Sequence, residues 1–461
     1  MNQKQLLNIV NKQHDFFFAG TPKEITFRVK QLNILKKAIE ENEDKILEAL
    51  ELDLGKPATE AYTTEIAVVL HEIDYALKKI KSWAKPKKVR TPFILFPGSS
   101  YIYPEPYGSV LIIGPWNYPF QLAISPLVGA MVAGNCSVVK PSEVAHKTSR
   151  IIANIIREYF DPLYIAVVEG GVEETQMLLS QKFNYIFFTG GTYVGKIIME
   201  AAAKRLTPVT LELGGKNPCI IDEDIDIEKT LRRIIWAKYL NAGQTCIAPD
   251  YLLIQKNIKS KLLLSIETII EEFYGKDPFK SPDYARIINE KHYFRLSELL
   301  KEGDIIIGGT TKPDSLYIAP TVIDNISWNN KIMGEEIFGP ILPVIEYEDL
   351  NKVISLLHAK PKSLALYFFS KNKSKQEKIL KEISSGGACI NDALGHFTNN
   401  KLPFGGVGDS GMGAYHGKAS FDTFSHRKSV LKRSFFVDPQ MKYPPYKTPL
   451  KYLKKVLKFV S

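Results

Sequence analysis

Ser109-Val110-Leu111-Ile112-Ile113 is a short run without a charge, and Gly114-Pro115-Trp116-Asn117-Tyr118-Pro119 ends it abruptly. Such a run predicts a strand buried on both faces, the kind found in parallel sheets. Ser137-Val138-Val139, Tyr164-Ile165-Ala166-Val167-Val168 and Tyr185-Ile186-Phe187-Phe188 repeat the pattern, and Pro126 to Gly134 can form a helix between the first two strands. Strands alternating with helices imply a doubly wound α/β sheet. A second set predicts a second α/β unit: Cys219-Ile220-Ile221, Tyr251-Leu252-Leu253-Ile254, Leu342-Pro343-Val344-Ile345, Leu364 to Phe368 and Ala388-Cys389-Ile390-Asn391. Upstream, Phe27 to Leu54 reads as one helix, with Val29, Leu32, Leu35, Ile39, Ile46 and Leu50 at helical spacing. Glu60 to Trp83 reads as another, broken by Lys85-Pro86-Lys87-Lys88. Pro92 to Pro106 is expected to be a projecting hairpin, Ile94-Leu95-Phe96 against Tyr101-Ile102-Tyr103.

At 461 residues the chain is too long for one simple core. Hydrophobic content of 45% and charged content of 24% are those of an ordinary globular protein. The four cysteines, Cys136, Cys219, Cys246 and Cys389, lie far apart. That argues against a disulfide framework and a metal site, and fits a reducing cytoplasm. Neither a signal peptide nor a membrane-spanning run is expected. The net charge is +10, yet Arg427 to Ser461 holds ten basic residues and one acid, Asp438. The body is therefore near neutral and the tail basic. A solvated face is the ordinary reading of such a tail, and no nucleic-acid partner is expected.

Cys246 stands in Asn241-Ala242-Gly243-Gln244-Thr245-Cys246-Ile247-Ala248-Pro249-Asp250-Tyr251, among small residues and turn formers. Earlier comes Leu211-Glu212-Leu213-Gly214-Gly215-Lys216. A cysteine and a glutamate so placed suggest a covalent enzyme with its own deacylation base. No histidine pairs with Cys246 in sequence, which disfavours a Cys-His hydrolase. Phe188-Thr189-Gly190-Gly191-Thr192-Tyr193-Val194-Gly195-Lys196 follows a strand and opens a helix, where glycines permit close approach of a ligand. Alone it is equally a plain strand-to-helix turn. Val139-Lys140-Pro141-Ser142-Glu143 lies past a strand end, where open α/β sheets bind ligands, though a surface ion pair is the simpler reading. Asn117, between two prolines, supplies a rigid amide suited to an oxyanion hole, or caps the following helix.

Taken with Pro403-Phe404-Gly405-Gly406-Val407-Gly408-Asp409-Ser410-Gly411 and Ser420-Phe421-Asp422-Thr423-Phe424-Ser425-His426, these motifs resemble the aldehyde dehydrogenase superfamily. The branch they resemble is that of the class 3 and fatty aldehyde enzymes. The resemblance runs from about Phe16 to His426. It implies an α/β fold of two doubly wound Rossmann-type domains plus a small oligomerisation element. Residues 1–84 and 107–210 would form the dinucleotide-binding domain and 211–428 the catalytic domain. Residues 85–106 and 429–461 would form an oligomerisation hairpin and C-terminal tail.

The resemblance also implies roles. Cys246 matches the nucleophile, Glu212 the base and Asn117 the oxyanion donor. Trp116, Lys140, Glu143, Gly190, Gly191, Gly195, Leu213, Glu336 and Phe338 match cofactor contacts for NAD or NADP. Gly191 departs from the Ser or Asn of many relatives. Tyr62 and Tyr118 match aromatic positions at the substrate entrance, and Phe397 joins them. The implied reaction is oxidation of an aldehyde to its acid through a thioester on Cys246. The substrate expected is a medium- or long-chain aliphatic or an aromatic aldehyde, and the assembly a homodimer. A cofactor-independent thioesterase using the same pair, and a non-catalytic protein of this fold, are the alternatives from other classes. In the tail, Leu450, Leu453, Leu457 and Val460 share one helical face and lysines most of the other. That helix is expected to dock on the partner subunit rather than on an anionic membrane.

Overall fold

The computed structural model describes residues 3–438 and 440–460, without the side chains of Met441, Val456, Phe459 and Val460. Ser109–Ile113 is a fully buried strand in the interior of a six-stranded sheet. The order is Gly411–Met412, Val209–Glu212, Tyr185–Thr189, Ser109–Ile113, Cys136–Lys140, Ile165–Val167. All neighbours are parallel except Gly411–Met412, which runs antiparallel to Val209–Glu212. Burial on both faces explains why these strands read as continuous apolar runs.

A seven-stranded sheet forms the second unit, ordered Asp304–Ile307, Thr321–Asp324, Ile341–Tyr347, Tyr251–Gln255, Pro218–Ile221, Ala365–Phe369, Gly387–Ile390. It is parallel apart from its first strand. The chain passes from the first sheet to the second between Glu212 and Pro218, so the strand ends carrying Glu212 face the seam.

Three elements differ from the sequence expectation. The helix expected over residues 27–54 is two helices, Ile25–Glu41 and Glu43–Leu54. At Asn42 the side chain donates to the Ala38 carbonyl at 2.9 Å, a local bond that competes with the helix. Apolar periodicity runs across the break and hides it. The helix expected from Pro126 begins earlier, at Gln121, and runs through Pro126 to Ala133. Its first turn is capped from far away: one Glu65 oxygen accepts from the Phe120 and Gln121 N–H groups at 2.9 and 3.0 Å.

The third difference is the hairpin. Phe93–Leu95 is an exposed 3-10 turn, and Gly98–Pro106 pairs instead with Lys87–Val89 and, over nine residues, with Ser425–Arg433. Lys87 and Lys88 keep the short edge strand polar, which suits an edge. The boundary expected at residue 429 therefore falls inside a strand that starts at Ser425.

The tail ends in the helix Leu450–Val460. Leu450 and Leu457 are exposed and Leu453 is half-buried, while the Val460 side chain lies outside the described residues. Phe435 and Phe436, ahead of this helix, are fully exposed. Among the described residues no helix is long and apolar enough to cross a membrane.

Candidate active site

The turn before Cys246 is the most strained backbone of the seam. Asn241, Ala242 and Gly243 have φ of 54°, 51° and 74°, three consecutive residues in the left-handed region. Only glycine fits the third position, because a side chain there would strike the Gly339 carbonyl. Such strain persists when the surroundings over-determine it. Here the Asn241 amide donates to the carbonyls of Asn117 (2.8 Å) and Gln244 (3.1 Å), and its backbone N–H donates to Glu60 (2.9 Å). Downstream, the Asn217 amide donates to the carbonyls of Cys246 (2.8 Å) and Ala248 (3.0 Å). Cys246 is thus pinned from both sides, and the residue as a whole is only half-buried.

Cys246 and Glu212 line one cavity of about 260 Å³. Its walls are mostly apolar and include Leu213, Trp236, Phe397 and Tyr415. Both Glu212 oxygens are buried without a hydrogen-bond partner, so burial holds this carboxyl far above the usual range. Burial, reinforced by Glu336 and Glu212, likewise pushes the Cys246 thiol well up. Burial raises Glu336 to about 8.

Tyr118 and Phe397 line this cavity, and the Tyr118 hydroxyl is 2.7 Å from Thr245 Oγ1. Tyr62 does not line it. It lies 38% exposed at the start of a wide π-turn, Tyr62–Ile66, and its neighbours Thr63, Thr64 and Val68 form the wall. Adjacent positions on a helix point about 100° apart, so one step in register separates wall from surface.

Asn117 is buried and donates to the Gln244 carbonyl at 3.1 Å. It does not cap the following helix, since Glu65 already holds those N–H groups. Trp116 packs edge-on against Phe338 at 5.2 Å and tilted against His292 at 4.8 Å.

One residue beyond Leu213, Gly214 and Gly215 line a larger cleft of about 560 Å³ with Thr192, Lys216 and Glu336. A side chain on Gly214 would strike the Glu336 carboxylate. Gly190 and Gly191 join the strand Tyr185–Thr189 to the helix Thr192–Ala203, whose first turn has no side-chain cap. A Cβ on Gly191 would meet open space, whereas one on Gly195 would strike Leu213. Lys140 and Glu143 form an ion pair at the end of Cys136–Lys140, with the lysine buried and the Glu143 side chain 44% exposed. An open helix N-terminus, a glycine facing space and an exposed carboxylate at a strand end fit a dinucleotide.

Several residues of this site were invisible to sequence reasoning. Asn217 adjoins one quoted motif and Asn241 opens another, which is a weak signal. Lys56, Glu60 and Glu65 sit in or just before a stretch that reads as an amphipathic helix, and their convergence on residues 117–121 and the Asn241 turn is purely tertiary. Cys136 and Cys219 are core residues, and Cys389 Sγ lies 3.1 Å from His396 Nδ1. Among the described residues no group of three or more His, Cys, Asp or Glu is arranged to hold a metal.

The aldehyde dehydrogenase family model matches residues 10–430. A 4,4'-diaponeurosporen-aldehyde dehydrogenase of Staphylococcus aureus is 50% identical over 445 residues, covering 96% of this chain and 97% of that protein. Aldehyde dehydrogenase family 3 member A2 of Macaca fascicularis is 47% identical, covering 95% of this chain and 90% of its own. The solved substrate-bound state of Staphylococcus aureus AldH superimposes with a TM-score of 0.97 at 48% identity, over 99% of this chain and 100% of that one. A strained cysteine turn and a buried glutamate in the same cavity agree with these likenesses: the chain belongs to the aldehyde dehydrogenase family and is an NAD(P)-dependent aldehyde dehydrogenase.

Proposed function

We propose that this enzyme oxidises medium- or long-chain aliphatic or aromatic aldehydes through a thioester on Cys246, which water activated by Glu212 then hydrolyses. One observation carries the reading: the only half-open cysteine among the four shares a mostly apolar cavity with a carboxyl that has no protein partner. A partnerless buried carboxyl suits a base that must receive a proton from water.

The steps follow from the residues. Cys246 Sγ, as thiolate, attacks the carbonyl carbon and leaves an oxyanion. An amide carries two N–H groups, and Asn117 uses one on Gln244. The second, with the Cys246 backbone N–H, stabilises the oxyanion without reorganisation, roughly 3–4 kcal/mol for such a donor. A bound nicotinamide would supply the acceptor for the hydride that must leave this carbon. Glu336, Phe338, Trp116 and Leu213 would hold that end of the dinucleotide, and Gly190, Gly191, Gly195, Lys140 and Glu143 the other. Glu212 then takes the proton of the attacking water, and Cys246 departs as the carboxylic acid forms.

Glu143 is exposed enough to accept from a ribose hydroxyl and would repel a phosphate there. Both cofactors are expected to work, with NAD giving the higher kcat/KM. A clear preference for NADP on side-by-side assay refutes this role for Glu143.

An apolar cavity gains roughly 0.8 kcal/mol per buried methylene, about 4-fold in kcat/KM per carbon. Rates should therefore rise from propanal towards decanal until the cavity is full. A flat or falling series refutes the substrate class. The relative named for diaponeurosporen-aldehyde supports apolar substrates. A homodimer through the free edge of Ser425–Arg433 is supported by the exposed Phe435 and Phe436 beyond it. The same alkanal series on a chain ending at Thr448, with its oligomer size and pelleting on anionic liposomes, separates docking of the tail helix on a partner from docking on a membrane.

A further inference from the structure

Two charges are buried completely behind the catalytic loops. Lys56 Nζ and Glu65 Oε1 are 2.5 Å apart, and neither side chain reaches solvent. Removing two ions from water is costly, and such a pair rarely stabilises a fold better than apolar residues would. Its contacts suggest another use. The second Glu65 oxygen takes the N–H groups of Phe120 and Gln121. The Lys56 ammonium donates to the Asn117 carbonyl at 3.4 Å and lies 4.2 Å from the centre of the Tyr118 ring. The pair thus grips one short loop at residues 117, 118, 120 and 121.

The Asn117 carbonyl also accepts from Asn241, whose backbone N–H is held by Glu60. The loop bearing the proposed oxyanion donor and the turn bearing the proposed nucleophile meet at this one carbonyl. Neither side chain of the Lys56–Glu65 pair reaches solvent, so neither touches substrate.

We propose that Lys56 and Glu65 are positioning residues that set the Asn117 amide against Cys246, acting on the rate through Asn117. This rests on the reading of Asn117 as the oxyanion donor. A misplacement of about 1 Å in such a donor costs about 100-fold in rate.

The test is a double-mutant cycle on the full chain. Lys56→Met/Glu65→Gln removes both charges at nearly constant volume. The amide oxygen introduced at position 65 can still accept from the loop N–H groups, so folding is preserved. This variant, Asn117→Ala and their combination are compared by the size and rate of the single-turnover NADH burst. NADH affinity and the rate of Cys246 alkylation by iodoacetamide serve as separate readouts. Lys56→Met/Glu65→Gln is expected to slow the burst about 10- to 100-fold. Its NADH affinity and alkylation rate should stay within about 2-fold, and the combination should be no slower than Asn117→Ala alone. Losses that multiply in the combination overturn the positioning role but leave Asn117 as donor. A full-rate burst in Asn117→Ala overturns the donor reading and the proposal with it. Alkylation slowed as much as the burst means the cysteine turn has moved, which also overturns it.

Discussion

Replacing Cys246 by Ser is expected to lower NADH production on the order of 10⁴-fold or more, while cofactor affinity stays within a factor of about two. A hydroxyl is a far weaker nucleophile than a thiol, and among the described residues no histidine is hydrogen-bonded to Cys246 to deprotonate it. The other three cysteines cannot substitute, because Cys136 and Cys219 are sealed in the core and Cys389, beside His396, is not among the residues lining the cavity. The residues proposed to hold the dinucleotide do not include Cys246, so binding should survive. Steady-state NADH formation by Cys246→Ser within tenfold of the parent would sink the nucleophile assignment. Burial holds the thiol in its neutral form, so its activation must come from charge brought into the pocket. Alkylation of Cys246 by iodoacetamide should therefore quicken when NAD is added.

Glu212→Gln is expected to fail at a different point. The thioester can still form, so a burst of NADH close to one per site remains. Turnover then falls about 10²- to 10⁴-fold, the usual contribution of a general base. A variant with unchanged steady-state turnover would remove Glu212 from the reaction. The pH dependence follows from its environment. Burial raises this carboxyl well above the ordinary 4.5, and only its ionised form can take a proton. Deacylation in the parent should therefore climb as pH rises through the raised value, and the variant should lose that limb.

Stability carries the opposite sign. A carboxyl whose folded pKa lies above its unfolded value favours folding at low pH, and that contribution is lost as pH rises from 4.5 through the raised value. Glu212→Gln removes the group that bears this loss. The variant should melt no lower than the parent at neutral pH, as is common where a site holds strain for function. A clearly lower Tm would mean that Glu212 has a structural partner not seen in its buried setting.

Much of the architecture was written locally. Ser109–Ile113 and its fellow strands announce themselves because both faces are covered, so every position must be apolar. Glu212, Cys246 and Asn117 stood out because each lies among glycines, prolines and small residues at the end of such a strand or in a tight turn. What the chain does at long range was hidden. The strand Gly98–Pro106 could not be paired from sequence, since its main partner, Ser425–Arg433, lies near the other end of the chain. The start of the helix at Gln121 could not be placed, since its cap is a carboxylate on an earlier helix. Tyr62, expected at the substrate entrance, is half-exposed beside Thr63 and Thr64 of the cavity wall, and only the π-turn decides which of these neighbours faces inward. Nothing in the sequence marks Lys56 and Glu65, and only the tertiary fold excludes water from them. Local apolar runs and turn residues thus determined the elements and brought forward the reactive groups. Strand partners, helix caps and buried ion pairs depend on which distant segments meet, and these only the folded chain decided.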